Sequence, residues 1–509
     1  MRDIIVGLVR PTLPAMGYAL FLAVNAAGVW GGVFPFLPLD FQTYDLLLWF
    51  YLAQAGTLFV TFFAGARLSF TGNGFLEKAP VLKAALPYFL GWCGLIAAIY
   101  VHDHTVELTV AGGALLGLGS GAFYLQWQRY FAATAEEVGE RNMLTGGMYA
   151  AAIYFALYLI PRAITALLIP TVFLPLFSMA LTLANRTIDP NQPMFQDGPR
   201  QNRRVYRRAF ASMWRSALCL GGFALCTGLI RATAIESPTI GSLVNILSMA
   251  GLFVAGLAVL ALWQLKGLRL NIVKLYQFTY PVVATAFLVL PATRLGYVRW
   301  LAAAVYALYS IGLLLMMLQC AQTSRARGVE PMFAYGMFGG IVYGMHDMGF
   351  IMGSIGHQIT NQLVTQNTLV SLASVYLLGI LFFAVTVNFR GTAPRLLQGD
   401  SIELVSAHPS AVPPRPKSVE RVAEGERFHH DRVAKQVYLL QTEFRLSDRE
   451  AEVVDLVVRG NTVARIAELL TVSENTVRTH MKRIYTKLSV HRKQELIELV
   501  ERYDPSPTG

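Results

Sequence analysis

The chain has 509 residues, 54% of them apolar and 14% charged, with a net charge of +11 and a mean hydropathy of +0.47. Soluble domains carry about 25% charged residues, so this composition excludes an ordinary string of soluble domains, and it excludes disorder over the bulk of the chain. The four cysteines, Cys93, Cys219, Cys226 and Cys320, lie in apolar runs with no CxxC pair and no zinc-type His spacing, which argues against a disulfide scaffold or a metal site.

Charge divides the chain near residue 390. Residues 1–390 hold 24 Lys and Arg against 14 Asp and Glu, whereas 391–509 hold 18 against 17. The first part has the charge density of a membrane domain and the second that of a soluble one. Stretches of roughly 18–25 apolar residues, long enough to cross about 30 Å of hydrocarbon, number twelve. They cover approximately 12–36, 44–66, 82–101, 107–128, 143–161, 163–184, 213–231, 240–263, 273–291, 298–320, 332–355 and 365–387. Pro161-Arg162 and Arg294-Leu295-Gly296 separate the two pairs with the shortest loops.

With Met1 inside, the inner loops hold 18 Lys and Arg, and the outer loops hold four: Arg162, Arg231, Arg294 and Arg299. That bias predicts a multi-pass protein of the bacterial cytoplasmic (inner) membrane with both termini cytoplasmic. The longest inner loop, 185–212, follows the sixth span and contains Arg200, Arg203, Arg204, Arg207 and Arg208, read as an anchor to anionic lipid rather than a nucleic-acid contact. Six plus six spans around a basic central loop resemble the major facilitator superfamily over about 390 residues. The family's signature loop between the second and third spans is reduced here to Gly65-Ala66-Arg67, without its aspartate.

Polar groups inside spans are few. Asn25, Gln54, Asn245, Gln277 and Gln319 suit interhelical bridges. In the eleventh span Gly336, Gly340, Tyr343 and Asp347 share a face, with His346 beside Asp347 and several methionines between. An intramembrane acid must face protein or water. Tyr343, His346 and Asp347 are therefore candidates for sensing a small-molecule ligand in a central cavity; the alternative is a buried structural acid paired with a neighbouring donor. Gly113, Gly117 and Gly121 in the fourth span read as a helix-packing stripe.

Residues 391–427, with five prolines and no periodicity, read as a flexible linker too loose for a rigid lever, and 428–445 as a connecting amphipathic helix. Residues 446–502 read as four short helices, and 503–509 as a disordered tail. Ser447 with Glu450 is a capping box; Val453, Val454 and Val457 form an apolar face that stops at Arg459-Gly460. Thr462 caps a second helix, Thr471-Val472 makes the turn, and Ser473 caps a third. Helix three turns Val477, Ile484 and Leu488 inward and Arg478, Thr479, Lys482, Arg483 and Lys487 outward. The spacing is that of a helix-turn-helix, with basic charge concentrated on one helix face.

The residues Leu446-Ser447-x-Arg449-Glu450-x-Glu452-Val453, Gly460, Ile466-Ala467, Val472-Ser473-x-x-Thr476-Val477-Arg478-x-His480, Ile484-x-x-Lys487-Leu488-x-Val490 and Arg492 resemble the LuxR-type DNA-binding domain nearly end to end. One departure is Val463-Ala464-Arg465, where the family has Asn-Lys-Glu. By position, the resemblance implies that Arg478, Thr479 and Lys482 contact bases in double-stranded DNA. It implies that Thr476, Lys487, Arg465 and Arg483 hold phosphates, that His480 is structural, and that the fourth helix pairs two domains into a homodimer on DNA.

The expected fold is all-α: a twelve-helix transmembrane bundle followed by a four-helix LuxR-type domain. No Walker A or Gly-rich nucleotide loop, kinase-type histidine or room for a receiver domain is present, so no enzyme, catalytic residue or cofactor is expected. The combination resembles membrane-embedded, one-component LuxR-type regulators that sense a ligand through the membrane domain, with lipid bilayer, promoter DNA and RNA polymerase as partners. The rivals are a major-facilitator-type transporter carrying its own DNA-binding regulatory domain, and a membrane domain that is only an anchor.

Overall fold

The computed structural model describes residues 10–27, 34, 36–38, 41–71, 80–190, 192–196, 203–236, 238–263, 269–293, 295–359, 365–386, 401–403, 432–470 and 473–502. Each predicted span falls on a helix: α1 (Leu13–Ala26), α2 (Tyr44–Thr71), α3 (Pro80–Tyr100), α4 (Thr105–Ala133), α5 (Glu136–Leu157), α6 (Arg162–Asn185), α7 (Arg203–Glu236), α8 (Pro238–Trp263), α9 (Ile272–Val289), α10 (Leu295–Arg327), α11 (Pro331–Ile359) and α12 (Gln366–Thr386). Among the described residues, eight of these are long and apolar enough to cross a membrane. Their outward faces are apolar: Phe278, Trp300, Tyr376 and Phe383 are exposed, as expected of surface solvated by lipid. In α6 a π turn at Ile169–Phe173 accommodates Pro170, which has no amide hydrogen to donate.

Glycine decides which helices touch at the centre. Gly336, Gly340 and Gly344 of α11 meet Phe62, Phe63 and Phe59 of α2, while Gly349 and Gly353 meet the backbone of α7 at Leu225 and Leu229. A methyl on Gly228 of α7 would in turn overlap the His346 carbonyl oxygen. The α11 helix is therefore clamped between a helix of the first six and one of the second six. The stripe Gly113, Gly117 and Gly121 lies against Phe50, Gln54, Thr57 and Thr61 of α2. A second tie between the halves is the fully buried Glu140, which accepts from Gln322 at 2.6 Å and pairs with Arg325 at 3.4 Å; Arg325 also donates to the Phe131 carbonyl at 2.8 Å.

Two features depart from the sequence reading. The end of the basic segment 185–212 is helical, so Arg203, Arg207 and Arg208 occupy the first turns of α7; a helix is free to run on past the hydrocarbon once its side chains are solvated. Within the stretch read as linker, β2 (Ser401–Glu403) pairs antiparallel with β1 (Arg269–Asn271), just before α9, in the register Arg269 to Glu403, Leu270 to Ile402 and Asn271 to Ser401. The rest of 391–427, the turn 471–472 and the tail 503–509 lie outside the described residues.

The C-terminal segment comprises α13 (Arg432–Phe444), α14 (Asp448–Val458), α15 (Val463–Leu469), α16 (Glu474–Leu488) and α17 (Lys493–Arg502). It has its own apolar core, built from Leu440, Val453, Val454, Val457, Ile466, Val477, Ile484, Leu488, Leu496 and Val500. Both halves of the Ser447/Glu450 capping box are formed, Gly460 ends the following turn at φ 96°, and Ser489 closes α16 in the left-handed region. Arg208 donates to Gln494 of α17 at 2.9 Å.

Candidate nucleic-acid interface and membrane cavity

The α16 helix starts where Ser473 Oγ accepts from the Thr476 amide at 3.2 Å; Glu474 stands at its positive end. Four apolar residues, Val477, Met481, Ile484 and Leu488, bury one face. The opposite face presents Arg478, Thr479, Lys482 and Arg483, all exposed, with Thr476 at its leading end. Arg478 is steadied by Glu474 at 3.4 Å, and the Thr479 hydroxyl donates to the Asn475 carbonyl at 2.8 Å. Arg465 is half-buried on α15, off this face.

Lys487 is placed differently. Its ammonium reaches back into the domain, donating to Glu450 Oε2 at 2.6 Å and to the Arg445 carbonyl at 3.1 Å. Glu450 also accepts from the Ser447 amide at 2.8 Å. Burial by itself raises the Glu450 carboxyl, but the Lys487 ammonium and the Ser447 donors outweigh it and leave it below the ordinary glutamate range. In this arrangement the Lys487 charge is shared with a carboxylate of its own fold.

Inside the bundle, a cavity of about 60 Å³ opens between the halves, lined from α1, α2 and α4 on one side and α7, α10 and α11 on the other. The three residues singled out by sequence, Tyr343, His346 and Asp347, all line it. The Tyr51 hydroxyl lies 2.8 Å from His346 Nδ1 and 3.2 Å from Asp347 Oδ1, and Tyr309 stacks on the His346 ring with centroids 5.7 Å apart. Asn25 joins Ser120 at 2.8 Å and Tyr124 at 3.1 Å on the facing wall.

Sequence reasoning missed six polar lining residues: Tyr51, Ser120, Tyr124, Arg231, Tyr306 and Tyr309. Arg231, counted above as an outer-loop charge, is buried in the last turns of α7, with its guanidinium carbon 4.1 Å above the Tyr51 ring. It lies near the Tyr306 hydroxyl without meeting hydrogen-bond geometry. The signal that was available is Arg231's place in an unbroken apolar run with no turn residue beside it, and the Tyr306/Tyr309 spacing on one helix face.

Residues 445–500 match the family described as bacterial regulatory proteins, luxR family. The chain is similar to the response regulator UvrY of Escherichia coli, 30% identical over 94 residues, which is 17% of this chain and 43% of UvrY. It is also similar to a putative transcriptional regulator of Pseudomonas aeruginosa, 42% identical over 59 residues, 12% of this chain and 28% of that protein. The chain thus spans less than half the length of these relatives. Among solved structures it is similar to the E. coli fucose:proton symporter FucP, with a TM-score of 0.45 and 14% identity, covering 76% of this chain and 99% of that one. It is similar as well to a bacterial homologue of the iron transporter ferroportin, with a TM-score of 0.48 and 12% identity, covering 74% and 99%.

Proposed function

We propose that this chain, a polytopic membrane bundle ending in a LuxR-type helix-turn-helix domain, is a one-component transcription regulator that senses a small molecule through the bundle and binds promoter DNA through α16. The observation that carries the reading is the exposed basic face of Arg478, Thr479, Lys482 and Arg483 on a domain with its own apolar core. Base contacts belong to Arg478, Thr479 and Lys482. Thr476 and Arg483 flank them and serve phosphates; Arg465 and Lys487 are second-rank candidates, because the one is half-buried and the other is engaged by Glu450.

The membrane domain spans 1–390 and the DNA-binding domain 446–502, joined through 391–427 and the helix in 428–445. Both termini face the cytoplasm of a bacterial cell, and the domain acts as a homodimer on DNA next to RNA polymerase. Removing Arg231 from the outer loops leaves three basic residues there against 18 on the inner ones, which strengthens the orientation. The Arg208 to Gln494 contact suits control by holding or releasing the DNA-binding domain.

The test is chromatin capture of the tagged full-length protein, compared with transcript changes in a deletion strain. Enrichment at promoters whose transcripts change supports the proposal, and its absence refutes it. Solute uptake into proteoliposomes that is abolished by Asp347→Asn favours a transporter carrying its own regulator.

A further inference from the structure

The cavity between the halves contains two opposite charges that do not neutralise each other. Arg231 is 6% exposed and Asp347 meets the Tyr51 hydroxyl; among the described residues the two charges form no ion pair. The guanidinium sits over the face of the Tyr51 ring, and the carboxylate accepts from the hydroxyl at the ring's edge. A buried guanidinium over a ring face, with the Tyr306 hydroxyl nearby, has given up its water without a full replacement.

Three further facts concern the Arg231 side. Its Nε and the hydroxyls of Tyr306 and Tyr309 are buried, and among the described residues none meets hydrogen-bond geometry with a partner, although Arg231 lies near the Tyr306 hydroxyl. The two tyrosines are 1% and 3% exposed. All three groups have a hydrogen to donate, and all three residues line the same cavity. Unmet donors on three residues of one cavity, one of them a cation, suit an anionic acceptor with more than one oxygen, and a carboxylate offers two. Asp347 accepts from Tyr51 through Oδ1, lies 3.4 Å from His346 Nδ1 and is partly exposed, and Tyr51 and Tyr309 line the same cavity. A partly exposed carboxylate in a cavity lined by aromatic residues suits an ammonium group.

Charge and size narrow the choice. Arg231 and Asp347 already sum to zero, so a bare anion would leave the site negative and a bare cation would leave it positive. A cavity of about 60 Å³ has room for about four or five water molecules. We propose that the cavity binds a small zwitterion of the α-amino-acid type. Its carboxylate is held by Arg231, Tyr306 and Tyr309, its ammonium by Asp347, and its side chain is no larger than a methyl or hydroxymethyl group. The inference rests on the reading of this cavity as the sensory site and names the chemistry of what it senses.

The experiment titrates full-length protein in detergent, without DNA, with glycine, L-alanine and L-serine, and with propionate and ethylamine as alanine lacking one charged group, following heat of binding and thermal unfolding. Saturable binding of an amino acid is expected, with propionate and ethylamine each about ten- to hundredfold weaker. Arg231→Gln should erase alanine's advantage over ethylamine, and Asp347→Asn its advantage over propionate. Where Arg231→Gln does not fold, the double variant Tyr306→Phe with Tyr309→Phe should weaken alanine and propionate while leaving ethylamine unchanged. No saturable binding of any of the three amino acids, propionate or ethylamine equal to alanine, or alanine binding indifferent to all these substitutions overturns the proposal. A protein that binds alanine yet occupies no promoter overturns the regulator reading alone; one that occupies promoters yet binds no zwitterion overturns this inference alone.

Discussion

Replacing Glu450 tests how the C-terminal domain is held together and whether Lys487 is free for DNA. In Glu450→Ala the Ser447 amide loses its capping acceptor, worth about 1 kcal/mol. Lys487 loses a charge-assisted bond worth about 1.5–3 kcal/mol, taken at the lower end because 39% of that side chain is in solvent. The sum is about 2.5 kcal/mol. A domain of about 70 residues has roughly 4–10 kcal/mol of stability in all, so melting of a 428–509 fragment should fall by about 10–20 °C. Glu450→Gln keeps an acceptor of the same shape and should cost about 1–2 kcal/mol.

Because the folded carboxyl is held below its unfolded value, its contribution is complete above about pH 4.3 and disappears as the pH falls through the lower folded value. The lead of wild type over Glu450→Gln should therefore be constant at neutral pH and close only below about pH 4.3. Circular-dichroism melts from pH 3 to 8 supply the measurement. A melting point for Glu450→Ala within 2 °C of wild type, or a lead over Glu450→Gln that persists unchanged to pH 3, would refute the reasoning. If Lys487→Ala then reduced the salt slope of DNA binding by about one with no loss of stability, the residue would be a phosphate contact after all.

Arg478→Ala and Lys482→Ala in the same fragment should each cost about 1–3 kcal/mol at a specific operator and little on random DNA, measured by titration at fixed salt. Gly228→Ala sets a methyl on the His346 carbonyl and should lower thermal stability in detergent, whereas Gly56→Ala, which meets open space, should not; equal melting points would mean that α7 and α11 are not in contact. Glu140→Ala leaves Arg325 buried without its carboxylate and should cost about 3–5 kcal/mol, read as loss of folded protein in membranes. A reporter active only in the cytoplasm should work when fused after Asn388 and fail after His357; the reverse result would invert the topology.

The helix-turn-helix domain was legible almost residue by residue because its signals are local: Ser447 and Glu450 cap a helix three residues apart, and Ser473 caps another. The twelve spans were legible because hydrocarbon thickness sets a length that can be counted. The cavity was only half legible. Asp347, His346 and Tyr343 announce themselves as polar groups in one apolar segment, but Tyr51 meets His346 from 295 positions away, and no period within a helix reports such a meeting. Arg231 was misplaced because a charge near the end of a span looks the same whether it leaves the bundle or turns into it. Lys487 was read as outward-facing from its place on α16, yet a four-carbon stem let its ammonium bend back to Glu450. The β1 to β2 pairing joins two three-residue strands more than 130 positions apart, with no alternation long enough to notice.

That pairing has a geographical consequence for a regulator of this kind. It anchors Glu403 beside Arg269, so the tether of the DNA-binding domain is counted from residue 404 rather than from the end of α12. About 28 residues remain before α13, and even fully drawn out at about 3.3–3.6 Å each they reach no more than about 100 Å. In the proposed homodimer, two such tethers would readily serve half-sites one helical turn, about 34 Å, apart. Neither can go to the chromosome. In the proposed regulator the chromosome has to come to the envelope, and the address of the controlled gene within the cell, as much as its operator sequence, decides whether it can be found.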